Sequence, residues 1–177
     1  MNLLWSERKA MKKTVIIISG KGGSGKDTMC AIAEKHFEVT NESSIDPIKK
    51  IARENGWNGE KDNKSRKFLS DLKKAYTDYN DLPTNFLLDE YRKFTEDDKD
   101  ILFCHIREPQ EIEKFKKAIN YPSNVKTLLV RRPETDDAVY GNESDDDVDD
   151  YDYDIIYENS GTIEEAEASF TRLLKTL

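Results

Sequence analysis

The stretch Ser19-Gly-Lys-Gly-Gly-Ser-Gly-Lys-Asp-Thr28 decides the fold. It follows the apolar run Val15–Ile18, which is typical of a buried strand, and it precedes a helical pattern of apolar residues. The spacing Gly-x-x-x-x-Gly-Lys is that of a phosphate-binding loop, whose glycines let backbone N–H groups point at phosphate oxygens. Lys26 supplies a positive charge for the β- and γ-phosphates, and the next helix offers its positive N-terminal end. The sequence therefore predicts a nucleotide phosphate site.

Asp27 is the irregular position of this loop, because the usual motif has serine or threonine there and Thr28 follows one place later. An ordinary loop uses the neutral hydroxyl at this position to hold Mg²⁺. We therefore expect Asp27 and Thr28 to face a Mg²⁺ ion, directly or through water. His105 stands at the end of a predicted strand where an acidic residue is expected, so the sequence does not show what else holds the metal.

Bulk composition limits the possible partners. A chain of 177 residues is enough for one domain, and its net charge of −8 argues against nucleic-acid and anionic-membrane surfaces. The sequence contains no apolar run of bilayer-spanning length and no signal peptide. Cys30 and Cys104 lie in apolar patterns without metal-ligand spacing, which is typical of a reduced protein. We expect a cytoplasmic monomer or homodimer that binds small molecules.

Strand and helix patterns alternate along the chain, which predicts an α/β fold with a parallel sheet of about five strands and helices on both faces. Asp46 is expected to cap the second helix, with Pro47 at its first position, and Thr162-x-x-Glu165 is a capping box before the last. The predicted strands are 14–19, 37–40, 100–106, 125–131 and 153–157. The predicted helices before the last are 26–37, 46–55, 64–79, 84–94 and 109–119.

Ligands of such sheets bind at the carboxyl ends of the strands, and phosphoryl transfer needs positive charge there. Arg107, Arg131 and Arg132 follow predicted strands and join Lys26 as candidate catalytic residues, although each arginine has a surface ion-pairing alternative. Arg66 opens a helix, where the dipole disfavours a basic side chain, and this indicates an anionic partner.

The run 145–154 is strongly acidic and lacks the spacing of a calcium loop, so it predicts a solvated segment or one that flanks a lid.

Several segments, taken in order, resemble the P-loop deoxynucleoside monophosphate kinases of phages and bacteria. They are the Gly-Lys-Asp-Thr loop, Asp46–Lys49 with 56–61 and 65–69, 106–112, 130–133 with 142–145, and 153–165. Residues 1–12 are expected to be an N-terminal extension or an alternative start, because the first ten are mostly polar and Met11-Lys-Lys13 suits the start of a domain. The resemblance implies a nucleoside-monophosphate-kinase-like three-layer α/β/α sandwich over 13–177. It also implies a helical substrate-binding region at 45–95 and a lid at 131–150.

The same resemblance implies ATP and Mg²⁺ as cofactors and transfer of the γ-phosphoryl group to a (deoxy)nucleoside monophosphate. The implied substrate-binding residues are Asp46, Lys49, Arg66 and Arg107. The implied ATP-binding residues are Gly20, Lys21, Gly22, Gly23, Ser24, Gly25, Lys26, Asp27, Thr28, Asn159 and Gly161.

Other functions remain open at this point. A kinase resembling dephospho-coenzyme A kinase would act on a hydroxyl and use Asp46 as general base, whereas Asp46 is otherwise a helix cap or a substrate-orienting group. P-loop phosphomevalonate kinase also carries a Gly-Lys-Asp loop. The segment Lys21–Lys26 matches the deviant Walker loop of partitioning-type ATPases as well. Because His105 replaces the expected acidic residue, a protein that binds ATP without catalytic activity is also an alternative.

Overall fold

The computed structural model describes residues 12–133 and 147–177. Five strands form one sheet in the order β2-β3-β1-β4-β5, and every neighbouring pair is parallel. The strands are β1 (Thr14–Ser19), β2 (Val39–Ser43), β3 (Ile101–His105), β4 (Val125–Arg131) and β5 (Ile155–Glu158). The helices are α1 (Lys26–Glu34), α2 (Asp46–Glu54), α3 (Asn63–Asn80), α4 (Leu82–Glu96), α5 (Pro109–Ala118) and α6 (Ile163–Leu174), with a 3₁₀ helix at Asp147–Asp150.

Two apolar layers flank the sheet, because side chains alternate along each strand. Ile16 and Ile18 of β1 pack with α1 and α6, whereas Val15 and Ile17 pack with α4 and α5. The predicted three-layer α/β/α sandwich with a parallel sheet is therefore confirmed. Within residues 12–133 and 147–177, no helix combines the length and apolarity needed to cross a membrane.

The connections that leave the central strands determine which edge of the sheet carries the crevice for a ligand. The chain leaves β1 through α1 on one face of the sheet, and it leaves β3 through α5 on the other face. Adjacent strands whose connections diverge in this way leave a crevice beyond their carboxyl ends. The loop 20–25 lies in that crevice.

The observed elements correct several predicted boundaries. The helix α1 ends at Glu34 rather than at residue 37, and β2 begins at Val39, where it pairs with Ile101 of β3. The last strand begins at residue 155, because the buried ring of Tyr153 packs under the sheet before the strand starts. Of the regions assigned by resemblance, residues 1–11 of the extension and 134–146 of the lid lie outside the described residues.

Asp46 is not the cap of α2. The helix begins at Asp46 itself, Ile45 occupies the capping position, and the Asp46 carboxylate accepts the backbone N–H of Ser43 at 2.8 Å. The predicted capping box of α6 is confirmed. Thr162 Oγ1 accepts the Glu165 N–H at 3.2 Å, and Glu165 Oε2 accepts the Thr162 N–H at 2.8 Å.

Candidate active site

Two glycines of the loop sit where a side chain has no room. A Cβ at Gly20 would lie 2.4 Å from the carbonyl oxygen of Val130 in β4. Gly25 has a φ of +92° and a Cβ there would lie 2.3 Å from Asn159 Nδ2. The loop is therefore held tightly against the ends of β4 and β5, as a backbone cradle for phosphate requires.

Lys26 is 8% exposed, and its ammonium group donates hydrogen bonds to the carbonyls of Gly20 and of Lys21, the latter at 3.2 Å. The positive charge is thus held inside the curve of its own loop. The Ser24 hydroxyl is buried and finds no hydrogen-bond partner within the described part of the chain. Such an orphaned donor in a loop with a buried cation fits an anionic ligand with oxygen acceptors.

Asn159 fastens this loop to the sheet. Its side-chain amide donates to the Ser24 carbonyl at 3.0 Å, and its backbone N–H donates to the Arg131 carbonyl at 2.7 Å. The structure thus brings Asn159 to the predicted phosphate site. Gly161 has a different local explanation, because its φ is +88° and a Cβ would lie 2.3 Å from the capping-box oxygen Glu165 Oε2.

His105 lies at the carboxyl end of β3, on the sheet face that carries α1. Its Nε2 donates to Asn41 Oδ1 at 2.7 Å and lies 3.6 Å from Cys30 Sγ. Burial lowers the pKa of His105 to about 4, Asp27 opposes that shift, and Lys26 is among the cations that add to it. The ring is therefore neutral at pH 7.

The remaining cations that lower the pKa of His105 are Arg107 and Lys49, so four predicted site residues lie within electrostatic reach of this one ring. Asp27 and Thr28 are exposed in the first turn of α1. In the part of the chain that the structure describes, no group of three or more His, Cys, Asp or Glu side chains is arranged to hold a metal. Magnesium bound by one carboxylate and by nucleotide phosphates needs no such cage, so Asp27 beside the loop fits it.

Asp149 is the site residue that the sequence did not single out. It lies in the 3₁₀ helix, and its two carboxylate oxygens lie 3.0 Å from Lys21 Nζ and 3.6 Å from Arg131 Nε. The buried side chain of Val148 anchors that helix, and the Tyr153 hydroxyl donates to the Val148 carbonyl at 2.9 Å. A carboxylate thus bridges the loop and the end of β4. Of the two alternatives predicted for the acidic run, a solvated segment does not describe Asp149, which is paired with two cations, and a segment that flanks a lid stays a prediction.

On the other side of the crevice, Arg107 follows β3 and is half-buried. The next residue, Glu108, accepts two hydrogen bonds of 2.6 Å from Lys73 of α3. Arg66 precedes Lys73 by two helical turns and lies on the same face of α3, about 10 Å away along the axis. Its side chain is exposed and donates from Nε to the Lys61 carbonyl at 3.2 Å. Arg66 therefore lies on the α3 side of the crevice, not at the loop.

The turn between β2 and α2 joins the same edge. The Ser44 N–H donates to the His105 carbonyl at 3.1 Å, which fixes this turn beside the end of β3. Asp46 Oδ1 lies 3.8 Å from Lys49 Nζ in the first turn of α2. Burial and the nearby carboxylates of Glu90 and Asp46 raise the pKa of Glu42 at the end of β2. Arg132 follows β4 and is exposed.

Two solved structures are similar to this chain. The crystal structure of TT1252 from Thermus thermophilus has a TM-score of 0.52 and 21% identity, over 94% of this chain and 98% of that one. This likeness agrees with the α/β fold of the chain. Shikimate kinase from Bacteroides thetaiotaomicron has a TM-score of 0.47 and 15% identity, over 92% of this chain and 98% of that one. No protein-family model matches the sequence, and the search of curated proteins gives no significant match.

The likeness to TT1252 concerns the fold alone, so chemistry has to be argued from the site. The structure brings the loop, Asn159, Arg131, Arg107, Asp46 and Lys49 to one edge of the sheet, together with the unforeseen Asp149. Both predicted packing cysteines are buried and free, and burial raises the pKa of each thiol.

Proposed function

We propose that this protein is an ATP- and Mg²⁺-dependent kinase that transfers the γ-phosphoryl group of ATP to a (deoxy)nucleoside monophosphate. The observation that carries the proposal is the buried ammonium of Lys26 inside a glycine cradle that admits no Cβ. Lys26 brings a positive charge to the loop, and the loop offers backbone donors and the Ser24 hydroxyl to the same anion.

The two sides of the crevice suit two phosphate-bearing substrates. Lys21, Lys26 and Arg131 surround the donor end, and Arg107 lies at the end of the neighbouring strand β3. In the proposed step an acceptor phosphate oxygen bonds to the γ-phosphorus, the bond to the β–γ bridging oxygen breaks, and ADP leaves. Lys26 neutralises charge on the β/γ-oxygens, while Arg107 and Arg131 stabilise the oxygens of the transferring group. Asp27 and Thr28 would hold Mg²⁺, which would supply further neutralisation of phosphate charge when bound.

The acceptor class follows from proton chemistry. A monophosphate has a second pKa near 6, so at pH 7 it attacks without a general base. A hydroxyl acceptor needs a base, and Asp46 is the carboxylate that the β2–α2 turn brings to this edge. Its Oδ2 already accepts the Ser43 N–H, which suits a group that holds the turn. This favours the monophosphate acceptor over an acceptor like dephospho-coenzyme A.

A coupled ADP-release screen tests the proposal. The protein is assayed with ATP and Mg²⁺ against all nucleoside monophosphates, dephospho-coenzyme A and phosphomevalonate. We expect turnover with at least one monophosphate and a loss of at least about 100-fold in Lys26→Met. Lys35→Met, at the exposed end of the same helix region, is the matched control. Absence of turnover with every monophosphate would overturn the proposed acceptor.

Asp46→Asn separates the two acceptor classes, because asparagine keeps an acceptor for Ser43 but cannot take a proton. Near-total loss of kcat would favour a hydroxyl acceptor. The partitioning-type ATPase is favoured instead if Lys21→Ala abolishes ATP-dependent dimerisation while monophosphates leave ATP turnover unchanged.

A further inference from the structure

The helix α3 exposes an apolar stripe. None of its 18 residues, all of them described, is buried. Phe68 is 43% exposed and Tyr79 is 84% exposed, with Leu72 and Ala75 between them on the same side. The spacing of four, three and four residues places these side chains in one row along the helix. Exposed aromatic rings in a row of this kind indicate a contact surface.

A charged stripe runs beside this apolar row with the same spacing. Lys67 pairs with Asp71 at 2.7 Å, and Lys74 pairs with Asp78 at 3.2 Å. All four side chains are more than half exposed. Read from the N-terminus the signs are plus, minus, plus, minus. Read from the C-terminus they are reversed at every position.

We propose that α3 is a homodimer interface in which two copies of this chain pack their α3 helices antiparallel. A two-fold axis across the middle of α3 reverses the helix direction, so the apolar row meets itself end to end. Phe68 then lies beside Tyr79 of the second copy, and Leu72 lies beside Ala75. In the neighbouring row each lysine faces an aspartate of the second copy.

The sign reversal is the reason to choose a second copy over an unrelated partner. A two-fold interface uses the same patch twice, so the patch has to be complementary to itself about its centre. The centres of the two rows lie one residue apart, between residues 73 and 74 for the apolar row and between residues 72 and 73 for the charged row, which is about 1.5 Å along the helix. Nearly the same two-fold axis therefore suits both rows. An unrelated protein would place no such condition on α3.

The size of the patch sets the strength of the dimer. A helix of 18 residues is about 27 Å long, so one face of α3 buries well under the roughly 800 Å² per partner of a standard interface. The exposed ion pairs contribute only a few tenths of a kcal/mol each. We therefore expect a reversible dimer in the micromolar range or weaker, formed without nucleotide.

Sedimentation equilibrium of the full chain, from low micromolar to several hundred micromolar, tests the proposal. We expect a concentration-dependent rise from monomer to dimer mass, and at least a tenfold weaker association in Tyr79→Ser. The double variant Lys67→Glu/Lys74→Glu makes the stripe wholly acidic, and Asp71→Lys/Asp78→Lys makes it wholly basic. Each should stay monomeric alone, and an equimolar mixture should form the heterodimer.

The exposed pair Asp89 and Arg92 on α4 provides the control, because Asp89→Arg/Arg92→Glu reverses both charges of an exposed helical pair away from the stripe. This control should dimerise like the unchanged chain, and thermal unfolding should show that all variants are folded. A monomer at every concentration would overturn the proposal. So would charge variants that dimerise alone, or a mixture that fails to associate.

Discussion

Replacing Asp149 with asparagine should strengthen ATP binding. The Asp149 carboxylate bridges Lys21 and Arg131, which are the two cations that we assign to the phosphates of the nucleotide. It therefore neutralises the same charges that ATP would contact, and ATP must displace it to bind fully. Asparagine keeps the size and shape of the side chain but removes the negative charge.

The distances and exposures set the expected magnitude. The two contacts are 3.0 and 3.6 Å long, and the exposed fractions of Lys21, Asp149 and Arg131 are 13%, 31% and 37%. Two unit charges at such distances attract by about 5 kcal/mol at an effective dielectric constant of about 20. Exposed pairs contribute only about 0–1 kcal/mol. For this partly exposed bridge we take about 1–2 kcal/mol, which corresponds to a decrease of about 5- to 30-fold in Kd.

Isothermal titration of ATP at constant ionic strength measures this change. Asp150→Asn is the matched control, because Asp150 is exposed in the same 3₁₀ helix and the variant has the same net charge. An equal Kd in the two variants would show that Asp149 does not compete with phosphate. Weaker ATP binding in Asp149→Asn would refute the reasoning outright, since the carboxylate would then be positioning the two cations.

Further predictions concern the loop, the last helix and pH. Gly25→Ala should abolish measurable ATP binding by calorimetry, and adding Asn159→Ala should not restore it, because a φ of +92° stays strained for alanine. Thr162→Ala should lower the free energy of unfolding in urea by about 1 kcal/mol, and Thr162→Ser should not. His105 has a pKa of about 4 in the folded protein and about 6.5 in the unfolded chain, so between these values the unfolded chain binds more protons. The free energy of unfolding should therefore fall as pH drops from about 6.5 toward about 4. In the His105→Gln variant the free energy of unfolding should fall less steeply with pH than in the unchanged protein, by up to about 1.4 kcal/mol per pH unit. Equal slopes in the two proteins would contradict the buried, neutral ring.

The central elements of the fold are predictable because their patterns are local. The strand β4 occupies 125–131 as predicted, since its apolar run Leu128–Val130 is visible in the sequence itself. The strand β2 is different, because none of its residues is buried and its polar sequence Val-Thr-Asn-Glu-Ser carries little signal. Its limits are set by pairing with β3, which lies about 60 residues further along the chain. Such edge strands are defined by tertiary contacts rather than by hydrophobic period.

Some residues of the candidate site can be predicted from a local motif, and others are brought there only by the fold. The glycine loop is readable because motif and geometry coincide within ten residues. The role of Asp149 is not, since Lys21 lies more than a hundred residues earlier in the chain. The acidic run also contains Asp154, which accepts the Thr127 N–H at 2.7 Å and a hydrogen bond of 2.5 Å from the Tyr121 hydroxyl. Composition indicates a solvated run, whereas the fold supplies particular partners to individual carboxylates.

The two irregular residues of the site, Asp27 and His105, interact electrostatically. An acidic residue at the end of β3 would stand among Lys26, Arg107 and Lys49, and the histidine found there stays neutral because burial and these cations disfavour its charge. The carboxylate of this edge comes instead from Asp27, in the first turn of α1, where the helix N-terminus also favours a negative group. Under the proposed function, Asp27 is the carboxylate that we expect to face Mg²⁺, because it lies directly after the loop lysine.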